Sequence, residues 1–166
     1  AIQDRRRRYA AGPALLAPGQ ARGTESVVGR VRPYLEQLFD ATQETCHVLI
    51  REGDQVRFVD GVEGAQALRV GLRTGIHMTA LRTSGGKAML AELSTSDLDV
   101  LLHPRTSRLV DEEAEVAGQR LARVRGQRLG LNRDESEPGV TALGASIGIV
   151  DGQHAAVVGL DFRIQR

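Results

Sequence analysis

The chain has 166 residues, 41% of them hydrophobic, which is enough to bury one good core and too little for two. Its 22 basic and 21 acidic residues leave a net charge of +1, so no strong overall field draws it to nucleic acid or to anionic lipid. A single cysteine, Cys46, excludes an intramolecular disulfide and points to the reducing cytoplasm; no apolar run reaches membrane-spanning length, and aromatic content of 3% argues against a base-stacking surface.

Residues 1–23, with Arg5 to Arg8, Pro13 and Pro18, read as an extended or loosely held segment whose arginines are either phosphate contacts or a solvated end. From Thr24, Val27, Val28, Val31, Leu35, Leu38 and Phe39 recur at helical spacing. Pro33 falls inside that pattern and predicts a break, a linker helix followed by a second helix to about Thr42. Cys46 to Arg51 and Val56 to Val62 then alternate around Gly53-Asp54, predicting a β-hairpin with one buried face. Leu68 to Leu72 reads as a further short strand, and residues 73–82 as a loop forming a lid or pocket wall.

Thr83-Ser84-Gly85-Gly86-Lys87 then opens a helix running to Leu93. Thr83 or Ser84 is a natural cap, and two glycines leave the helix start without side-chain cover, so its backbone amides are available to an anion or polar ligand group. A capped helix packed closely on a sheet explains the same residues. Lys87, the only lysine, is expected to brace the site by reaching a carboxylate or a backbone carbonyl. A phosphate-loop reading fails, because Leu81 stands where the first glycine is required and Ala88 follows the lysine. Ser94 caps another helix as far as His103-Pro104; Asp111 to Arg128 form a longer one, with acid at its start and base at its end. Leu131 to Glu135, Val140 to Val150 and His154 to Phe162 read as strands, the last two joined at Asp151-Gly152. This order predicts an α+β domain with an antiparallel sheet and helices on one or both faces.

Arg32-Pro33-Tyr34-Leu35-Glu36-Gln37-Leu38, Glu44-Thr45-Cys46-His47-Val48, Leu68-Arg69-Val70-Gly71, Thr83 with Gly86-Lys87-Ala88-Met89-Leu90-Ala91, and Glu135-Ser136-Glu137-Pro138-Gly139-Val140 occur in an order and spacing that resembles the effector-binding domain of IclR-type bacterial transcription regulators. The resemblance implies a linker helix followed by a GAF-like, profilin-like sheet domain, the two together spanning 24–166. It also implies that 1–23 are a remnant of an N-terminal winged helix-turn-helix, most of which lies outside this chain, and that a final helix usually follows the position of Arg166.

For function, the resemblance implies a small organic effector, homodimers or homotetramers, and operator DNA bound through the absent domain; the residues themselves show no metal-ligand spacing, no membrane-spanning run and no catalytic motif, so no cofactor, metal, membrane partner or enzymatic activity is expected. It places the ligand site at Leu81, Arg82, Thr83, Ser84, Gly85, Asn132, Ala142, Gly159 and Asp161; in a more apolar reading Val70, Leu72 and Met78 build the pocket together with Ala142. Several of these depart from the family pattern: Leu81 stands for a usual histidine, Arg82 for a small residue, Asn132 for an acid, Ala142 for a cysteine, and Gly159 and Asp161 for hydroxyl-bearing residues. Arg82 would clamp an anionic ligand together with the helix-start amides. Alternatively it pairs with Asp161 or faces solvent, which leaves a more apolar pocket. Two other functional classes stay open, an oligomerisation module with a closed pocket and a small GAF-like enzyme. Against the enzyme, His47, His77, His103 and His154 are scattered and fall in no catalytic motif.

Overall fold

The computed structural model describes residues 2–3, 9–10, 13–102 and 111–163, and describes side chains for 23–101 and 115–159. Arg5 to Arg8, His103-Pro104 and the side chain of Asp161 lie outside the described residues.

Strands β1 (Ile2–Gln3) and β2 (Tyr9–Ala10) pair antiparallel ahead of helix α1 (Pro13–Thr42). The expected break at Pro33 does not occur, and α1 begins at Pro13 rather than Thr24. Proline at the first helical position gives up no hydrogen bond. Pro33 is exposed, as is Gly29 one turn before it, so the ring and the unpaired carbonyl both face water. Meanwhile Val27, Val31 and Leu35, one turn apart, are buried on the opposite stripe and hold the helix to the sheet.

The sheet has the order β5-β4-β3-β8-β7-β6, with every neighbouring pair antiparallel. Its strands are β3 (Cys46–Glu52), β4 (Gln55–Val62), β5 (His77–Thr79), β6 (Gly130–Arg133), β7 (Val140–Val150) and β8 (Gln153–Arg163). The hairpins at Gly53-Asp54 and Asp151-Gly152 form as the sequence predicts; Asp151 (φ 47°) and Gly152 (φ 79°) adopt the left-handed pair that matches strand twist. The expected single buried face is corrected. As a central strand, β3 is buried on both sides: Cys46, Val48 and Ile50 face α1, while Leu49 faces the other layer.

No strand forms at Leu68–Leu72, where Leu68 and Leu72 are both about half exposed; the edge of β4 is taken instead by β5, in the segment expected to be loop. A 3-10 turn (Ala80–Arg82) then leads into α2 (Ser84–Leu90), α3 (Thr95–Leu102) and α4 (Asp111–Gln127). Helix α2 ends three residues earlier than its apolar pattern suggests. Glu92 and Leu93 tighten onto the carbonyls of Met89 and Leu90, and Arg125 of α4 donates to the carbonyls of Ala91 and Leu93. Two apolar layers result, one under α1 and one under α2 and α4.

Candidate functional site

Thr83 is extended (φ −121°, ψ 148°), and its hydroxyl accepts from the Gly86 amide at 3.1 Å while donating to the Ala80 carbonyl at 3.2 Å. The hydroxyl is therefore spent on the cap. All seven residues of α2 are buried, and the two glycines answer to packing. A β-carbon on Gly86 would sit 2.3 Å from the Ala80 carbonyl oxygen, and one on Gly144 of β7 would sit 2.4 Å from the Gly85 amide nitrogen. The helix start thus lies directly on the sheet. The expectation that the Gly86 amide is open to a ligand is corrected, because Thr83 occupies it.

Beside this helix start is a small cavity of about 20 Å³, room for roughly one water molecule. Leu49, Phe58, Val140, Ala142 and Val158 form its apolar wall; Arg73, Thr83, Ser84, Asn132 and Ser136 supply the polar one. The Ser84 hydroxyl is buried without a hydrogen-bond partner, in a residue only 1% exposed. Asn132 is satisfied within its own turn, donating to the Ser136 hydroxyl at 2.6 Å and accepting from the Glu135 amide at 3.0 Å. Against Phe58 the His47 ring packs edge-on at 5.2 Å. Burial first, and then the Arg73 charge, push His47 down to a pKa of about 4 and keep it neutral near pH 7.

The turn 134–139 closes this cavity, and it is fastened from three sides. Lys87, buried in α2, donates to the Leu131 carbonyl at 2.7 Å and pairs with the Glu135 carboxylate. Arg82 grips the Glu135 carbonyl through Nε at 2.8 Å and Nη2 at 2.5 Å. Arg73 pairs with the Glu137 carboxylate at 2.9 Å. Outside the closure lies an open dent of about 280 Å³ lined by Gln55, His77, Met78, Thr79, Arg82 and Ser136, so Ser136 is common to the dent and the inner cavity.

Of the residues predicted for the site, Thr83, Ser84, Asn132 and Ala142 line the cavity together, and Met78 and Arg82 line the outer dent. Gly85 abuts the sheet against Val158, Ala156 and Leu49. Of the others, Val70, Leu72, Leu81, Arg82 and Gly159 do not line the cavity. Arg82 is exposed and committed to a backbone carbonyl, so it is no clamp inside the cavity. Leu81 packs toward Leu98 and Ala117 on the α4 side, and the Val70 carbonyl accepts from Thr45 away from the cavity. Leu72 is 45% exposed and lies over Gly61. Gly159 faces Leu38 and Cys46 beneath α1, because alternation along β8 sends Val158 to the cavity and its neighbour to the opposite layer. The sequence reading missed Arg73 and Glu135 as site residues. Arg73, set in a loop between two glycines, gave no periodic clue, whereas Lys87 as a lone lysine could have prompted a search for its acid.

The C-terminal domain model of the bacterial transcriptional regulator IclR matches residues 21–166. The chain belongs to this IclR C-terminal domain family. The regulator BhcR of Paracoccus denitrificans is 32% identical over 151 residues, covering 87% of this chain and 54% of that protein. The regulator Rv1719 of Mycobacterium tuberculosis is 30% identical over 146 residues, covering 83% and 56%. This IclR domain thus spans about half the length of the curated relatives it matches. The fold is also that of the Thermotoga maritima IclR crystal structure (TM-score 0.71, 23% identity, 95% of this chain and 66% of that one) and of the Agobacterium tumefaciens repressor BlcR (TM-score 0.67, 23% identity, 97% and 66%).

Among the described residues, Ser84, Cys46 and Ser146 lack the geometry of a catalytic nucleophile. Ser84 has no base in hydrogen-bond reach, and Cys46 is buried beneath α1. Ser146 and Glu92 both approach the same nitrogen of His154, at 3.2 and 2.9 Å, so the imidazole cannot take a proton from one side while being oriented from the other. On the opposite layer, polar contacts rivet α1 to the sheet: Arg57 to Thr24, Arg32 to Asp60, and Ser26 with Arg30 to Asp151.

Proposed function

We propose that this domain senses a small organic molecule at the cavity beside α2, and that the ligand-dependent state of the turn 134–139 modulates operator binding by a winged helix-turn-helix joined through α1. The observation that carries this reading is the Ser84 hydroxyl, buried without a hydrogen-bond partner on the wall of a cavity that is apolar on one side and polar on the other. A polar group left so is costly to fold and is what an incoming ligand repays. The effector must favour one arrangement of the homo-oligomer over another, or it shifts nothing. In a homodimer or homotetramer, two-fold pairing matches palindromic operator half-sites.

The small empty volume favours a second reading, an oligomerisation module whose pocket stays shut. Thermal unfolding with small carboxylates, aromatics and sugar acids separates the two. A ligand at a hundredfold its Kd adds about 2.7 kcal/mol of stability, a rise of several degrees in midpoint. That rise is the expected result for at least one class, together with its loss in Ser84→Ala for ligands that bond the hydroxyl. No response in any class supports the closed module, and turnover of any compound supports an enzyme.

A further inference from the structure

Arg73 carries the positive charge on the cavity wall, and its side chain is only 11% exposed. Its counter-charge is Glu137, which is 54% exposed and sits on the turn that closes the cavity, 2.9 Å away. Its Nη1 lies 3.8 Å from the Met78 thioether. A cation covered to this extent needs an anion beside it. Here that anion belongs to the turn 134–139 that closes the cavity. Close by on the same wall is the unpartnered Ser84 hydroxyl, a second donor facing the same space.

We propose that Arg73 is the ligand-recognising cation of this pocket, that its ligands are small carboxylates with an apolar body, and that Glu137 is an internal carboxylate that holds the empty pocket shut until the ligand's own carboxylate replaces it on Arg73. This rests on the sensing role proposed above. The exchange is like for like, since the Arg73 fork keeps a carboxylate partner throughout and no buried cation is left uncompensated. Leu49, Phe58, Val140, Ala142 and Val158 receive the apolar body, and Ser84 donates to a ligand oxygen. Release of Glu137 removes the tie between the turn and Arg73, while Lys87 and Arg82 keep Glu135 in place. With the closure displaced at Ser136, the inner cavity joins the outer dent.

The test is calorimetric and thermal titration of the 166-residue chain with propionate, succinate and benzoate, each against its amide. It is run on the unsubstituted chain and on Glu137→Gln, Arg73→Gln and Arg73→Lys. The expected result is binding of at least one acid but not its amide, several-fold tighter in Glu137→Gln. Binding should be roughly ten- to a hundredfold weaker in Arg73→Gln, with partial recovery in Arg73→Lys. Glu137 is half-exposed, so its substitution remains decisive even where Arg73→Gln fails to fold. Equal acid binding in Arg73→Gln, or weaker binding in Glu137→Gln, overturns the assignment. Amides that bind as well as acids overturn the carboxylate class and leave the sensing role standing; silence from every probe on every variant overturns both.

Discussion

Lys87 and Glu135 form an ion pair between the buried helix α2 and the turn that closes the cavity, with the lysine side chain 6% exposed and the glutamate 31%. Glu135 also accepts Arg82 at its carbonyl and gives its amide to Asn132, so one residue gathers α2, the 3-10 turn and β6 onto one point of the backbone. In the proposed exchange, ligand access at the Glu137 end of the turn and anchoring at the Glu135 end are separated within three residues.

Replacing Lys87 with Met should leave the partly buried Glu135 carboxylate and the Leu131 carbonyl uncompensated. Breaking one half of such a pair costs at most about 3–5 kcal/mol, and the partial exposure of Glu135 puts the expected loss at the lower end, about 3 kcal/mol. Urea unfolding measures it. The double variant Lys87→Met/Glu135→Gln should recover part of the loss; a double variant no better than the single would mean the pair is not coupled.

Thr83→Ala should cost about 1 kcal/mol through loss of the cap to Gly86, while Thr83→Ser should be close to neutral. Gly86→Ala should be worse, by about 1–3 kcal/mol, because its β-carbon meets the Ala80 backbone rather than a side chain that can move aside. At about 2–4 °C per kcal/mol for a chain of this size, thermal melts should rank the three as Ser, Ala, then the glycine variant.

The elements legible in the sequence were those carried by local chemistry: the two hairpins, the Thr83 cap, the Ser94 cap and the stripe of α1. What was not legible depended on distant partners. Pro33 looked like a break until its exposure showed that the lost hydrogen bond falls on the solvent side. Arg82 ends the 3-10 turn and Arg73 lies in the loop before β5, and nothing local says that the first turns outward to a carbonyl 53 residues away while the second turns inward beside Phe58. Gly159 lost its place in the site by a single step of strand alternation, which a bulge between Ser146 and Gly148 and another between Thr141 and Leu143 make hard to count from sequence.

His47 is harder to protonate in the folded chain than in the unfolded one, with a pKa of about 4 against an ordinary 6.5. Above pH 6.5 both states are neutral and its contribution is fully present. As pH falls from 6.5 toward 4 the unfolded chain takes up the proton first, so stability drops, by about 3 kcal/mol at pH 4. Urea unfolding between pH 7.5 and 4 should therefore show a steeper loss in the unsubstituted chain than in His47→Leu, which cannot be protonated. Identical slopes would place the pH sensitivity elsewhere.

Asp151, at the β7–β8 hairpin, accepts from the Ser26 hydroxyl and from Arg30 at 3.3 Å, and these contacts hold its carboxyl below the ordinary range, the Ser26 hydrogen bond first and the Arg30 charge after it. The folded pKa is depressed, so the tie is present above the ordinary carboxylate pKa and is lost as pH falls through the lower folded value. Asp151→Asn keeps the shape and removes the charge. The expected outcome is faster amide hydrogen exchange around residues 24–31 and 150–153, with the α2 layer unchanged, because these contacts join α1 to the sheet on the layer opposite the cavity. Uniform exchange changes across both layers would show that the hairpin tie supports the whole fold, and unchanged exchange at α1 would show that Val27, Val31 and Leu35 hold the helix without it.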